Sequence, residues 1–288
     1  MESMEGIVHR ATAMPELETS PELDLTQHEK RRVLEGMRSR AAVLHEAIRL
    51  EGEHEITRPA SALAWSGLAA GLSMGFSLVA MGLARASLPD RPWRPLVVNL
   101  GYCVGFVIVI VARQQLFTEN TLTAFLPLLH TRTWLTLRRL LRLWGVVLAT
   151  NLAGTLVIAI VLERSSAFSP PVKAAFADIG AEALHGGFGI HLLRGIFAGW
   201  LIALMVWMLP EAHARAFLVV LVTYLVGLGG LSHVIAGSVE TLYAVIAGRG
   251  TWGEYLGDFL VPVLIGNTLG GSALVAALGH AQVAAEAR

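Results

Sequence analysis

His233 stands in the stretch Gly229-Gly230-Leu231-Ser232-His233-Val234-Ile235-Ala236-Gly237-Ser238, in the middle of an apolar run from Ala216 to Ala247. Imidazole titrates near neutrality, so at membrane depth it can hold, donate or accept a proton where a solute loses its water. Its neighbours are poor helix material, since a glycine costs about 1 kcal/mol relative to alanine in a helix interior. The pattern predicts a helix broken near the midplane with His233 at the break. Irregular backbone at that depth is tolerated only where it is buried in protein or lines a cavity. A second polar insert, Arg113-Gln114-Gln115-Leu116-Phe117-Thr118-Glu119-Asn120-Thr121, interrupts another apolar run between residues 96 and 129. It offers a hydroxyl at Thr118 and a carboxylate at Glu119. Arg113 and Glu119 are placed to pair near one mouth of a pathway; if Glu119 faces the pathway instead, it repels anions. Taken alone, His233 admits two readings, a packed side chain bonded to a neighbouring helix or a group facing a cavity.

The same residues argue against an enzyme. His233 has no cysteine or serine–acid constellation near it, and Ser232 is not its partner, because adjacent helical side chains point apart. No His/Asp/Glu cluster has metal-ligand spacing, and Cys103 is the single cysteine, so neither an intramolecular disulfide nor a cysteine metal site is possible. No metal and no cofactor are expected.

The elements that must position these residues are membrane spans. The chain has 288 residues, 54% hydrophobic and 15% charged, with mean hydropathy +0.59, which is the composition of a polytopic membrane protein. Zero formal net charge gives no hint of a nucleic-acid partner. Residues 1–58 contain no apolar core segment, so insertion is expected through the first span. Six spans are predicted, near 62–84, 96–129, 143–162, 194–209, 216–247 and 252–279. Arg132, Arg138, Arg139 and Arg142 lie in one loop without an acid, which places that loop in the cytoplasm and, by the span count, both termini with it. The long segment from Glu163 to His191 then lies outside. Before the spans, Thr26-Gln27-His28-Glu29 has a capping-box pattern, and Leu34, Met37, Ala41, Leu44 and Ile48 form a short apolar seam. That helix can pack between subunits or on the cytoplasmic ends of the spans, where it could meet a cytoplasmic partner, or lie on lipid headgroups. The expected division is a cytoplasmic segment 1–58, a membrane domain 59–280 and a cytoplasmic tail 281–288.

The two halves repeat. Spans one and four carry glycines four apart (Gly67, Gly71, Gly75; Gly195, Gly199), spans two and five are interrupted, and spans three and six carry Asn151-x-x-Gly154 and Asn267-x-x-Gly270. Three spans per half give the halves opposite orientations, and paired interruptions in inverted repeats point to a pathway at their interface.

These residues resemble the formate/nitrite transporter family, over about residues 62–279. Leu116-Phe117-Thr118 is similar to the family's motif in the broken second helix. Ser232-His233-Val234-Ile235-Ala236 is similar to the segment around its central histidine, and Val261 to Gly271 to its sixth-helix signature. The resemblance implies an all-α, aquaporin-like subunit of six helices in two inverted three-helix repeats. Five such subunits would assemble in a bacterial-type inner membrane, each with its own pore for small monovalent anions. It sets Thr118 and His233 face to face between two apolar constrictions. Leu116, Phe117, Thr118, Glu119, Ser232, His233 and Asn267 are the expected pore and substrate residues. The chain departs from the family in its polar shell: Ser232 stands where an acid is usual before the histidine, Gly237 where an asparagine is usual after it, and Ala203 where the fourth helix usually carries an asparagine. The basic residue usual upstream of that helix has no clear counterpart near Gly187. The expected function is transport of a small weak-acid anion. The alternatives are a channel for a neutral small solute and a non-transporting pentameric scaffold or sensor.

The topology is checked by cysteine labelling. Single cysteines at positions 90 and 175 should react with an impermeant reagent outside intact cells, while those at 20 and 136 should not.

Overall fold

The computed structural model describes Thr26 and residues 40–286. Every described element is helical. Helix α1 (Arg40–Thr57), of which the part from Leu44 belongs to one compact unit with all that follows, leads through Pro59 into the first span, α2 (Ala60–Ser87). The second span is α3 (Arg94–Val111), a break, then the short helices α4 (Phe117–Asn120) and α5 (Leu126–Thr131). The third is α6 (Trp134–Arg164), started by Thr133, whose side chain accepts the Thr136 amide. Then follow α7 (Pro170–Leu184), the fourth span α8 (Gly187–Met208), and a fifth made of α9 (Arg215–Leu228) and α10 (Ala236–Ile246) around the second break. The last is α11 (Glu254–Gln282), helical on to Glu286, with π-helical stretches at Glu254–Leu260 and Leu269–Ala276. Five of these helices are long and apolar enough to cross a membrane alone; α9 and α10 are shorter apolar pieces of the broken fifth span. Trp65, Phe76, Val111, Leu193, Leu221 and Ile265 stand exposed on the spans, as side chains facing lipid or another subunit do.

Three features refine the expectation, the first by replacing a loop with a helix and the second by choosing among the placements open to α1. The loop between the third and fourth spans folds into α7, begun by Pro170 and Pro171 at its first turn and buried through Phe176 and Ile179. Helix α1 packs on the spans: Ile48 and Ile56 are buried, a Cβ on Gly52 would run into the Thr123 carbonyl, and Arg142 donates to the carbonyls of Ile56 and Arg58 at 3.0 and 2.8 Å. The chain after residue 280 continues as helix. Leu34, Met37 and all of the capping box except Thr26 lie outside the described residues.

The two breaks are built alike. At the end of α3 the Gln114 amide bonds the Val109 carbonyl and the Arg113 amide bonds Ile110; at the end of α9 Leu231 bonds Val226 and Gly230 bonds Gly227. Both are Schellman ends with the turning residue left-handed, at φ 53° for Arg113 and 60° for Gly230. Glycine takes that conformation freely; arginine does so at a cost of about 1–2 kcal/mol.

Beyond each break an asparagine from the third helix of the same half ties the loop. Asn151 Oδ1 accepts the Phe117 amide at 2.9 Å, and its Nδ2 donates to Gln115 O at 2.9 Å and Gly67 O at 2.7 Å. Asn267 Oδ1 accepts the Val234 amide at 2.8 Å, and its Nδ2 donates to Ser232 O at 2.9 Å and Gly195 O at 2.8 Å. The glycines explain the reach. A Cβ on Gly71 would strike the Asn151 carbonyl, and one on Gly199 the backbone of Asn267, so only a bare backbone lets the first and third helices of each half come this close.

Replacing Asn151 or Asn267 by leucine leaves a loop amide and a loop carbonyl unsatisfied, each worth about 1–3 kcal/mol when buried, and removes a further bond to a helix carbonyl. Either variant should lose several degrees of apparent Tm, or fail to fold, in detergent melts followed by size exclusion. In the same assay Arg113→Gly should gain about 1 kcal/mol by relieving the left-handed turn.

Candidate functional site

The breaks bring Thr118 and His233 together. Thr118 Oγ1 lies 2.8 Å from His233 Nε2, and each residue is 1% exposed. His233 Nδ1 faces the amides of Ile235 and Ala236 at 3.3 and 3.2 Å, at the start of α10. Amides only donate, so Nδ1 is the acceptor and the ring proton is assigned to Nε2, which donates to Thr118 Oγ1. The Thr118 hydroxyl hydrogen is then left to offer to a solute. The Phe106 ring meets the imidazole edge-on, with centroids 4.9 Å apart, and Leu116 and Phe117 are buried on the other side of Thr118 in sequence.

Two cavities flank this pair. One, of about 220 Å³, is lined by His233, Ser232, Tyr102, Glu240, Glu182 and Arg194 among others. It opens where α2 ends and α3 and α8 begin. The other, of about 710 Å³, is lined by Glu55, Gln115, Glu119, Arg58, Arg113 and Arg215 among others, and opens where α1 meets the spans. We term them the outer and inner cavities. They approach from opposite ends of the spans: His233 lines the first, and the second reaches Gln115, Glu119 and Asn120, which bracket Thr118 in sequence.

The remaining expected residues divide. Glu119 and Arg113 both line the inner cavity, but no ion pair joins them among the described residues, which corrects the expected pairing. Arg113 is exposed and lines the wide cavity. Ser232 Oγ bonds His191 Nδ1 at 3.0 Å, and His191 Nε2 reaches the Leu184 carbonyl at 3.3 Å. Asn267 was expected among the pore residues. It is 0% exposed, with both amide hydrogens and the carbonyl oxygen engaged by backbone, so it holds the break instead of facing a cavity. The inner end is wired to α1 by a side-chain chain: Asn120 Nδ2 donates to Gln115 Oε1 at 3.0 Å, and Gln115 Nε2 donates to Glu55 Oε2 at 2.9 Å.

Sequence reasoning missed Glu240, Tyr102 and Arg194. An acid at 240 inside the apolar run from Ala216 to Ala247 was the available signal, since a carboxylate in a span is a site hypothesis in itself. Arg194 was visible only as the first residue of a span. At Gly237, where the family usually has an asparagine, a Cβ would strike the ring of Phe259, so the space of that side chain is filled from α11.

The sequence profile of the formate/nitrite transporter family matches residues 42–281. "Inner membrane protein YfdC" of Escherichia coli K12 is 45% identical over 246 residues, covering 85% of this chain and 79% of that protein. "Formate channel BtFdhC" of Bacillus thuringiensis is 27% identical, over 71% of this chain and 79% of its own. Among solved structures, a "Pentameric formate channel with formate bound" superposes with a TM-score of 0.66 at 20% identity, covering 77% of this chain and 97% of the other, and so shares the fold. With two inverted, broken-helix halves and a profile match across the whole membrane part, this chain belongs to the formate/nitrite transporter family.

Proposed function

We propose that the chain is a membrane channel or transporter for small monovalent weak acids of the formate and nitrite kind. It acts as a homopentamer in a bacterial-type inner membrane, with both termini in the cytoplasm, residues 1–58 as its cytoplasmic segment and 59–280 as its membrane domain. The observation that carries the reading is the Thr118–His233 hydrogen bond, set between two cavities that approach from opposite ends of the spans in a chain of this family.

Taking a charge out of water into an apolar passage is costly, and a weak acid avoids the cost by crossing with its proton. The pair at the breaks suits a neutral acid. Thr118 has a hydroxyl hydrogen to donate to the solute carbonyl and lone pairs to accept its O–H. Both imidazole nitrogens are already engaged, so His233 acts by holding Thr118 in place. The pentamer is supported by the pentameric solved neighbour, and the membrane by the relative described as an inner membrane protein.

A second reading, a channel for a neutral solute, is favoured by one observation. Glu119 faces the inner cavity without an ion-pair partner among the described residues, and a carboxylate there opposes free anions.

Uptake by proteoliposomes separates the readings. Formate and nitrite should enter faster than into protein-free vesicles, and Thr118→Val should slow them about twofold to thirteenfold, the worth of one hydrogen bond of about 0.5–1.5 kcal/mol, while the oligomer persists in native mass spectrometry. Enhanced flux of glycerol or urea without formate would establish the neutral-solute reading, and no flux of any solute the scaffold or sensor.

A further inference from the structure

The outer cavity contains a group that the reading above does not use. Glu240, on α10, is 8% exposed and lines the cavity beside Tyr102, Ser232 and His233. The other polar groups there are engaged. Arg85 holds Glu182 through two bonds of 2.6 and 2.7 Å, Asn99 donates to the Pro95 carbonyl, and Ser232 bonds His191. Arg194, less buried than Glu240, reaches the His185 carbonyl at 3.5 Å. Among the described residues no side-chain hydrogen bond or ion pair reaches the Glu240 carboxyl, and none reaches the Tyr102 hydroxyl, itself on a residue only 5% exposed. A carboxyl and a hydroxyl, each without a side-chain partner among the described residues and each on a residue more than nine-tenths buried, therefore line the same small space next to His233.

A carboxylate removed from water without a partner is costly. It also repels a second anion: two unit charges about 4 Å apart cost about 4 kcal/mol at an effective dielectric constant of about 20. A small carboxylate anion can share about 220 Å³ with Glu240 only if one proton lies between them, as it does in paired carboxylates elsewhere.

We propose that Glu240 is the outer proton donor to a small weak-acid anion, a role that rests on the weak-acid reading above. In the step, the O–H bond of the Glu240 carboxyl breaks and its proton forms an O–H bond on the solute oxygen. This leaves the Glu240 carboxylate and the neutral acid, with no change in oxidation state. Glu240 regains a proton from hydronium in the water entering at the outer end, which leaves a water molecule. Tyr102 donates its hydroxyl hydrogen to the carboxylate left behind. The groups facing Glu240 are Tyr102 from α3, Glu182 from α7 in its pair with Arg85, Arg194 from α8, Ser232 and His233 from the break, and the apolar Phe259 from α11. Of these, Arg194 carries the positive charge that draws an anion in. Neither His233 nitrogen is free to give the proton without losing its bond to Thr118 or to the backbone. Glu119 has no such task, because its cavity is wide and also carries Arg58, Arg113 and Arg215.

The test is initial formate uptake into proteoliposomes at fixed total formate, with external pH stepped from about 5 to about 7. Undissociated acid falls about tenfold per pH unit in this range. Wild-type flux should fall less steeply, because the protein supplies the proton, while Glu240→Gln flux should follow the tenfold slope and Glu240→Asp should recover part of the shallow profile. Gel filtration shows that the variants remain assembled. A wild-type slope of tenfold per unit overturns the proposal whether or not the glutamine variant folds, and so does a folded Glu240→Gln with the wild-type profile. Absence of formate and nitrite flux in wild type overturns the weak-acid reading, and with it the proposal.

Discussion

The structure depends on how backbone polar groups are satisfied where two membrane helices stop halfway. In hydrocarbon there is no water to take up a stray amide or carbonyl, so a break at that depth must be tied by protein. Asn151 and Asn267 do this twice with the same three bonds: one amide accepted beyond the break, one carbonyl reached before it, and one carbonyl reached on the glycine-lined first helix. Each amide side chain spends its full donor capacity on this. The glycines, the asparagines and the breaks are therefore one device, and the inverted repeat consists of two copies of it. Its product is the meeting of Thr118 from one loop with His233 from the other.

Around that meeting point the halves stop being alike. The inner cavity is wide and mixed in charge, with guanidinium groups beside Glu119 and α1 lashed to the break through Glu55, Gln115 and Asn120. The outer cavity is small and holds Glu240 and Tyr102, which have no side-chain partner among the described residues. Symmetry of the scaffold with asymmetry of the lining is what a pathway with distinct ends needs. One departure is local: the left-handed turn that Gly230 makes without strain is made by Arg113 in the other half. A strained turn that could hold glycine but holds a guanidinium facing a cavity points to work for that side chain.

Much of this was legible in the chain. The spans followed from composition and apolar run length, both breaks from polar inserts in apolar runs, and the repeat from the paired glycines and Asn-x-x-Gly motifs. The role of Asn267 was not legible, since a polar residue in a span reads as pore-lining until its three partners are seen. The helix at Pro170–Leu184 was hidden because a mixed, proline-led segment between spans reads as loop, and its buried face is set by tertiary contacts of Phe176 and Ile179. The supposed Arg113–Glu119 pair failed because nearness in sequence across a break says little about where two long side chains point. Glu240 is an acid in plain view inside an apolar run, but only the fold shows that it lines one cavity with His233.

The central claim is that the solute passes between the two breaks, at Thr118 held by His233. His233→Asn isolates it. The asparagine carbonyl can still accept the Ile235 and Ala236 amides and so preserve the start of α10, but its shorter side chain cannot reach Thr118 as Nε2 does. The measurement is initial formate uptake by proteoliposomes of wild type and His233→Asn at matched oligomer content. The account predicts an intact oligomer with flux lowered about tenfold, the loss of one well-placed hydrogen bond. Equal flux from the two proteins at every pH tried would contradict it.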